Sequence, residues 1–363
     1  MTSGHLVPTR CPFRRPWSAH RQETRPVPTP PSALDQDPIH PGVVVVAEDV
    51  WGDAFDGLAT KYGVERRPDL WKDADALGDS VRDARALVVR NRTTVDRTLL
   101  EHARRLELVA RAGVGLDNID VAAANELGIV VVAALGANAR SVAEHSLALA
   151  LALAKDVVGN DHRVRDGRWD RHLGIELSGR TWGIVGIGAT GRALASLVGA
   201  LGMTGVGFDP ALPPDEPLPP GIHERVDTID QLLDRADVVS LHVPLTPATT
   251  SMVDAGFLAS MRRGAYLINV SRGGLVDEEA LCDALESGQL GGAGIDVRAE
   301  EPPVPGRLER HPHVVLSPHV AGLTHESQEQ VTTILAHNLD LVLGGREALQ
   351  SVGAHRRPAR PGP

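Results

Sequence analysis

Short apolar runs recur along the chain, each followed by a polar, often glycine-bearing stretch and then by apolar positions at helical spacing. The runs are Val43–Val46, Ala86–Val89, Leu108–Ala110, Ile129–Val132, Trp182–Val185, Thr204–Phe208, Val238–Leu241, Tyr266–Val270, Ala293–Asp296 and Val314–Leu316. Runs of this kind lack the apolar–polar alternation of a half-exposed strand, so they predict strands buried on both faces of parallel sheets. Between and after them, helices are predicted over Val95–Arg105, Val121–Glu126, Ala139–Arg163 and Ser327–Leu343. The alternation implies an α/β protein with two doubly wound parallel-sheet domains. Residues 42–138 and 324–350 are expected to form one domain and residues 139–323 the other, with Ala139–Arg163 as a single crossing helix. Residues 1–41, rich in Pro and Arg without apolar periodicity, are expected to be a disordered extension, and residues 351–363 a disordered tail.

One unit stands out. The strand Trp182–Val185 runs into Gly186-Ile187-Gly188-Ala189-Thr190-Gly191, then a helical pattern (Leu194, Leu197, Val198, Leu201), then a strand ending on Asp209. This is G-x-G-x-x-G with a strand before it, a helix after it and an acid beyond, the context that makes the motif a dinucleotide site. Gly186 permits the tight turn, Gly188 lets backbone approach a pyrophosphate, and Gly191 lets helix and strand pack closely. The helix N-terminus offers N–H groups to phosphates. Asp209 suits the hydroxyls of an adenosine ribose. Pro210, Ala211 and Leu212 follow it, with no cation for a 2′-phosphate, so the cofactor expected is NAD rather than NADP.

Composition narrows the partners. A chain of 363 residues with 42% hydrophobic and 23% charged residues has room for two cores. A net charge of −10 argues against a nucleic-acid surface. Cys11 and Cys282 form neither a disulfide framework nor a metal motif, which suits a cytoplasmic protein with no metal. The longest apolar stretch, Leu147–Ala154, is too short to cross a membrane.

Other strand ends carry further chemistry, and ligands of open α/β sheets sit beyond such ends. Arg90 and Arg92 follow one strand, and Arg111-Ala112-Gly113-Val114-Gly115 follows the next. Guanidinium and backbone N–H groups there can hold a carboxylate or phosphate. In the second domain, successive strands end near Arg272, Glu301 and His319. An imidazole is the side chain best suited to take the O–H proton while hydride leaves carbon. A carboxylate on its far nitrogen fixes the tautomer and stabilises the imidazolium. A guanidinium can hold a substrate carboxylate and polarise the neighbouring carbonyl. Glu144-His145 is read as a buried structural pair near the hinge.

These residues lie in blocks that resemble the D-isomer-specific 2-hydroxyacid dehydrogenases, most of all their phosphoglycerate dehydrogenase branch. The blocks are Ala110–Asp120, Ser141–His145, Gly183–Arg192, Asn269–Glu278, Ile295–Pro302 and Ser317–Gly322, within a resemblance running from about Val43 to Gly345. The resemblance implies a Rossmann NAD-binding domain inserted into a flavodoxin-like substrate domain. It implies Arg272, Glu301 and His319 as the catalytic set. It further implies cofactor contacts at Val114, Gly186, Gly188, Ala189, Thr190, Gly191, Asp209, Val243, Pro244, Val270, Ser271, Arg272, Asp296, His319 and Gly322. Substrate, a small 2-hydroxy or 2-oxo acid, is expected at Arg90, Arg111, Gly113, Val114, Gly115 and Arg272. A homodimer is implied, with the crossing helix and the arm ending at Trp169 in its interface.

The chain departs from the family pattern in three places. Ala189-Thr190 replaces an Arg-Ile pair, removing one cationic contact to the pyrophosphate. Arg298 replaces an aromatic, and Ala133-Ala134-Leu135 replaces Asn-Thr-Pro; both are expected to alter the wall near the substrate. Too few residues follow Gly345 for a regulatory domain, so serine feedback is not expected. Three alternatives share the same blocks: a glyoxylate/hydroxypyruvate-type reductase, a corepressor-like NAD(H)-sensing scaffold, and a phosphite- or formate-oxidising relative.

Overall fold

The structure, a computed structural model, describes residues 44–353 except 51 and 214. The expected extension at residues 1–41 lies outside the described residues.

The first sheet contains β1 (Val44–Val46), β2 (Val64–Arg66), β3 (Ala86–Val89), β4 (Leu108–Arg111) and β5 (Val130–Ala133), all parallel, in the order β2-β1-β3-β4-β5. The second contains β6 (Thr181–Val185), β7 (Thr204–Phe208), β8 (Ile222–Arg225), β9 (Val238–Leu241), β10 (Ala265–Asn269), β11 (Leu290–Ile295) and β12 (Val314–Leu316), again parallel, in the order β12-β11-β10-β9-β6-β7-β8. The first order is that of a flavodoxin-like sheet and the second that of a Rossmann sheet with one extra strand. Each reverses at one point, between β1 and β3 in the first sheet and between β6 and β9 in the second. Those switch points leave crevices above the strand ends, and the candidate site uses both.

Period-two side-chain geometry explains why the apolar runs are unbroken. In β1, Val44 and Val46 face one core and Val45 the other. The helix His325–Leu343 covers the first of these cores with Val331, Leu335, Leu339 and Val342. Four such buried aliphatics contribute about 1.5–3 kcal/mol each, enough to dock the helix on the first sheet. On the second sheet, Val142, Leu149 and Ala150 of the helix Ala139–Ala154 pack with Leu194 and Val198 of the helix Ala189–Ala200. The chain therefore leaves the first domain just before Ala139 and returns just before His325.

Two expectations need correction. The crossing helix is two helices, Ala139–Ala154 and Val157–Arg165, separated by Asp156 in the left-handed region at φ 48°. The N–H of Ile175 donates to the Ala154 carbonyl at 2.8 Å, so the returning chain satisfies the end of the first helix. Ser351 and Val352, placed in the tail by sequence, form β13, antiparallel to β5 along Val131–Val132, and the rest of the expected tail, residues 354–363, lies outside the described residues.

Candidate active site

The glycine turn sits at the second switch point. Gly186 has φ 96°, and a Cβ there would lie 2.7 Å from the carbonyl oxygen of His242 at the end of β9. A Cβ on Gly191 would lie 2.0 Å from the Gly186 oxygen, so helix and turn touch backbone to backbone. Around Gly188, by contrast, a Cβ would meet nothing within 4 Å. Two glycines serve internal packing, and the third faces open space at a helix N-terminus, where a pyrophosphate fits. Asp209 shapes the turn as well: its carboxylate accepts the N–H of Ile187 at 2.8 Å and that of Ala211 at 3.0 Å. Each oxygen retains a lone pair for a ribose hydroxyl. Below the turn, Trp182 Nε1 donates to Ser240 Oγ (2.9 Å), which also meets His242 Nε2 (2.9 Å). His242 Nδ1 is buried without a partner, and burial pushes this imidazole down to about 4.

A cleft of about 110 Å³ opens between the two sheets. Arg90, Arg111, Gly113, Val270, Arg272, Asp296, His319 and Gly322 line it, joined by Asn91, Asn138, Leu323 and Gln328. His319 Nδ1 lies 2.8 Å from Glu301 Oε2. The histidine has φ 55°, an uncommon conformation for a residue with a Cβ. Its loop is held by Asp296, whose carboxylate accepts from Ser317 Oγ (2.5 Å) and the N–H groups of Val320 and Ala321 (both 2.9 Å), while the Asp296 carbonyl accepts the His319 N–H at 2.7 Å. Most of the carboxylate's capacity thus goes to the histidine loop rather than to a ligand.

Two guanidinium groups cross the glycines of Gly113-Val114-Gly115. A Cβ on Gly113 would lie 1.5 Å from an Arg111 terminal nitrogen, and one on Gly115 would lie 1.5 Å from an Arg272 terminal nitrogen. The glycines are there because the arginines occupy the side-chain space. Arg272 Nε donates to Asp117 Oδ2 at 2.5 Å, an ion pair that joins the second domain to the first. Arg111 is poorer in partners. Its Nε is buried without one, and burial, reinforced by the nearby charges of Arg272 and Arg90, pushes the group down to about 10. It still carries its charge at neutral pH, with Glu48 and Asp117 the nearby carboxylates. The Gly113 N–H turns back to the Arg111 carbonyl at 2.8 Å, which leaves the amides of Val114 and Gly115 for a ligand.

Glu48, buried at the end of β1, had no marked sequence signal beyond its place after an apolar run. Its carboxylate accepts the N–H groups of Arg90 (2.7 Å), Arg92 (3.1 Å) and Thr93 (3.0 Å), fixing the loop after β3. Asp117 and Asn138 were likewise assigned no role by sequence. Arg92 does not line the cleft; its guanidinium lies 4.8 Å from the Trp71 ring centroid. Val243, Pro244 and Ser271 lie at the ends of β9 and β10, where Ser271 Oγ donates to the Val243 carbonyl at 2.6 Å. Among the described residues no group of His, Cys, Asp and Glu is placed to hold a metal.

The family model described as "D-isomer specific 2-hydroxyacid dehydrogenase, NAD binding domain" matches residues 147–321. The chain is 41% identical over 307 residues to an (S)-sulfolactate dehydrogenase of Chromohalobacter salexigens, covering 82% of this chain and 99% of that protein. The chain belongs to the D-isomer-specific 2-hydroxyacid dehydrogenases. It is also 40% identical over 317 residues to a D-3-phosphoglycerate dehydrogenase of Methanocaldococcus jannaschii, 87% of this chain but 58% of that one. The chain thus spans little more than half the length of such relatives. An NADPH-dependent glyoxylate/hydroxypyruvate reductase of Sinorhizobium meliloti, solved with NADP and malonate, superposes with a TM-score of 0.78 at 29% identity, over 87% of this chain and 98% of that one.

Within this family three sequence expectations change. Glu144 is exposed and pairs with Arg140 one turn earlier (2.6 Å), whereas half-buried His145 meets Ser317 Oγ at 2.9 Å; the two are not a buried pair. Arg298 does not form the cleft wall, because its side chain turns into ion pairs with Glu278 and Glu309. Ala133 and Ala134 are buried in the first core's edge, and only Leu135 is exposed. The next residue, Gly136, approaches the glycine turn: its Cβ would lie 3.6 Å from that of Ala189.

Proposed function

We propose that this protein is an NAD-dependent oxidoreductase that interconverts a D-2-hydroxy acid and its 2-oxo acid. The observation that carries the proposal is the convergence of Arg272, Arg111 and His319, the last paired with Glu301, on one cleft. Arg272, its Nε held by Asp117 and one terminal nitrogen on the Ser271 carbonyl at 2.7 Å, would hold the substrate carboxylate with its remaining donors together with the Val114 and Gly115 amides. His319 Nε2 faces the substrate oxygen and moves its proton, while Glu301 on Nδ1 stabilises the imidazolium. Gly188, the helix behind it and Asp209 would hold a nicotinamide dinucleotide, which when bound would supply or accept the hydride. Asp209, followed by no cation, favours NAD over NADP.

The cleft holds a second guanidinium, that of Arg111, beside Arg272. With Arg272 on the carboxylate, Arg111, whose Nε lacks a partner, would favour a substrate with a second anionic group, such as 3-phosphoglycerate or a sulfonated analogue. This is the substrate side of the proposal, supported by the sulfolactate and phosphoglycerate dehydrogenases among the relatives. A homodimer is part of it too. Trp169 and Leu173, 75% and 103% exposed, project from an otherwise polar arm beyond the helix Val157–Arg165.

The test is loss of NADH absorbance with 3-phosphohydroxypyruvate, 3-sulfopyruvate, hydroxypyruvate and glyoxylate, for the wild type, His319→Ala and Arg272→Ala. Turnover of a doubly anionic substrate, abolished in both variants with NADH binding intact, is expected. Wild-type-like turnover in either variant refutes the mechanism. Preference for glyoxylate or hydroxypyruvate refutes the substrate class. No oxidation by any acid, with NADH tightening the dimer, refutes catalysis in favour of a sensing scaffold.

A further inference from the structure

Glu301 lies on a loop and is exposed, yet its orientation decides whether His319 has a partner. One carboxylate oxygen takes His319 Nδ1; the other accepts the backbone N–H of Arg298 at 3.1 Å. The position of Arg298 therefore sets the position of Glu301, and the Arg298 side chain is tied down on two sides. Its guanidinium, 11% exposed, forks onto Glu278 at the start of the helix Glu278–Glu286, with Nε–Oε1 3.0 Å and a terminal nitrogen–Oε2 2.7 Å. Its remaining terminal nitrogen bonds Glu309 on the helix Arg307–Arg310. Both carboxylates also hold backbone: Glu278 Oε1 accepts the Ala299 N–H at 3.0 Å, and Glu309 Oε2 accepts that of Gly306 at 2.6 Å. On the other side, the Arg298 carbonyl rests against Gly273, where a Cβ would lie 2.0 Å from its oxygen, one residue beyond Arg272.

We propose that Arg298 is a positioning residue for the acid–base pair, pinning the segment Val297–Glu301 to two helices so that Glu301 stays aligned on His319. The inference rests on the roles given to His319 and Glu301 above. A fork onto two desolvated carboxylates fixes direction as well as distance, which an aromatic side chain at this position would not. Removing either partner would leave a buried charge uncompensated, so the three groups keep one arrangement. The helix-borne carboxylates are thereby linked, through the Arg298 main chain, to a proton on Nδ1 of His319. The other charged groups near the histidine are Asp296 on its own loop side and Arg272, Arg111 and Arg90 across the cleft. None of them touches the Arg298 side chain, so replacing it tests the Glu301 contact.

The test is an NMR titration of the His319 imidazole in the full chain, assigned by loss of its signal in His319→Gln. Glu301→Gln is expected to lower the His319 pKa by about one unit, as one opposite charge is removed. Arg298→Met is expected to lower it by about half of that or more, and the double variant no further than Glu301→Gln alone. Arg298→Lys, which keeps a cation, falls between wild type and Arg298→Met. The limb of the kcat/KM pH profile governed by the histidine should move by the same amount, with the Kd for NADH unchanged. A His319 pKa in Arg298→Met equal to that of the wild type overturns the proposal, as does a full extra shift in the double variant. Should Arg298→Met fail to fold, Glu278→Gln carries the same expectation and the same refutation. The titration needs no turnover, so it decides this role even if every 2-oxo acid fails as a substrate.

Discussion

Gly115→Ala separates fold from function more sharply than any catalytic-residue replacement. The new Cβ would lie 1.5 Å from a terminal nitrogen of Arg272, 2.8 Å from its Cζ and 3.0 Å from Asp117 Oδ2. No backbone atom is among these contacts, and Gly115 does not have a positive φ, so the main chain can accept alanine. The guanidinium must therefore leave its position, giving up the 2.5 Å bond to Asp117. That ion pair is partly exposed and worth no more than about 1 kcal/mol, so the thermal midpoint should fall by only a few degrees. The substrate, however, loses charge-assisted hydrogen bonds worth about 1.5–3 kcal/mol. At 1.36 kcal/mol per factor of ten, kcat/KM should drop about ten- to 150-fold. Thermal melting, NADH titration and NADH-coupled turnover of the preferred 2-oxo acid measure the three quantities on one preparation. Unchanged kcat/KM, or a loss of NADH affinity as large as the loss of turnover, would refute the argument that this glycine exists to seat Arg272. Gly188→Ala is the counterpart: its Cβ meets no protein atom within 4 Å, so the fold should be untouched while NADH binding weakens.

Other outcomes follow from the same geometry. Asp209→Ala should weaken NADH binding about tenfold and narrow the gap between NADH and NADPH, since the carboxylate that would repel a 2′-phosphate is gone; an unchanged NADH/NADPH ratio counts against the ribose assignment. His242 sits near 4 when folded against an ordinary 6.5, so the unfolded chain binds its proton first and stability is lost as pH falls through that window. Between pH 7 and pH 5 the loss from this group is about 2 kcal/mol, and denaturant melts of His242→Gln should show a smaller decline than the wild type. Leu173→Ser together with Trp169→Ser should convert a dimer to monomer in sedimentation equilibrium; a variant dimer as tight as the wild type removes the arm from the interface.

The central strands were legible because burial on both faces disfavours polar residues, leaving unbroken apolar runs such as Ala86–Val89. The strands absent from the sequence reading are β2, β8 and β13, and each is a sheet edge. There one face or one side meets water, so Ile222-His223-Glu224-Arg225 shows no apolar run. The break at Asp156 was hidden for another reason: apolar spacing continues across it, and what ends the helix is a hydrogen bond from Ile175, distant in sequence. The contact between His319 and Glu301 was legible because an imidazole and a carboxylate at neighbouring strand ends suit one another chemically. Glu48, Asp117 and Arg298 were not, because their roles are to hold other residues. Only three-dimensional neighbours distinguish a carboxylate that binds three loop amides from one that binds water.

The chain passes between its domains twice, and the two passages touch. Asn138, just before the outgoing helix, lies against Gly322, where a Cβ would be 2.6 Å from its amide nitrogen. Ser141 Oγ donates to the Ala321 carbonyl (2.6 Å), and Ser327 Oγ to that of Gly322 (2.6 Å). The two passages are thereby fastened to each other as well as to their own sheets. Asn138 and Gly322 also line the cleft, so the crossings themselves form part of the wall against which a ligand would sit.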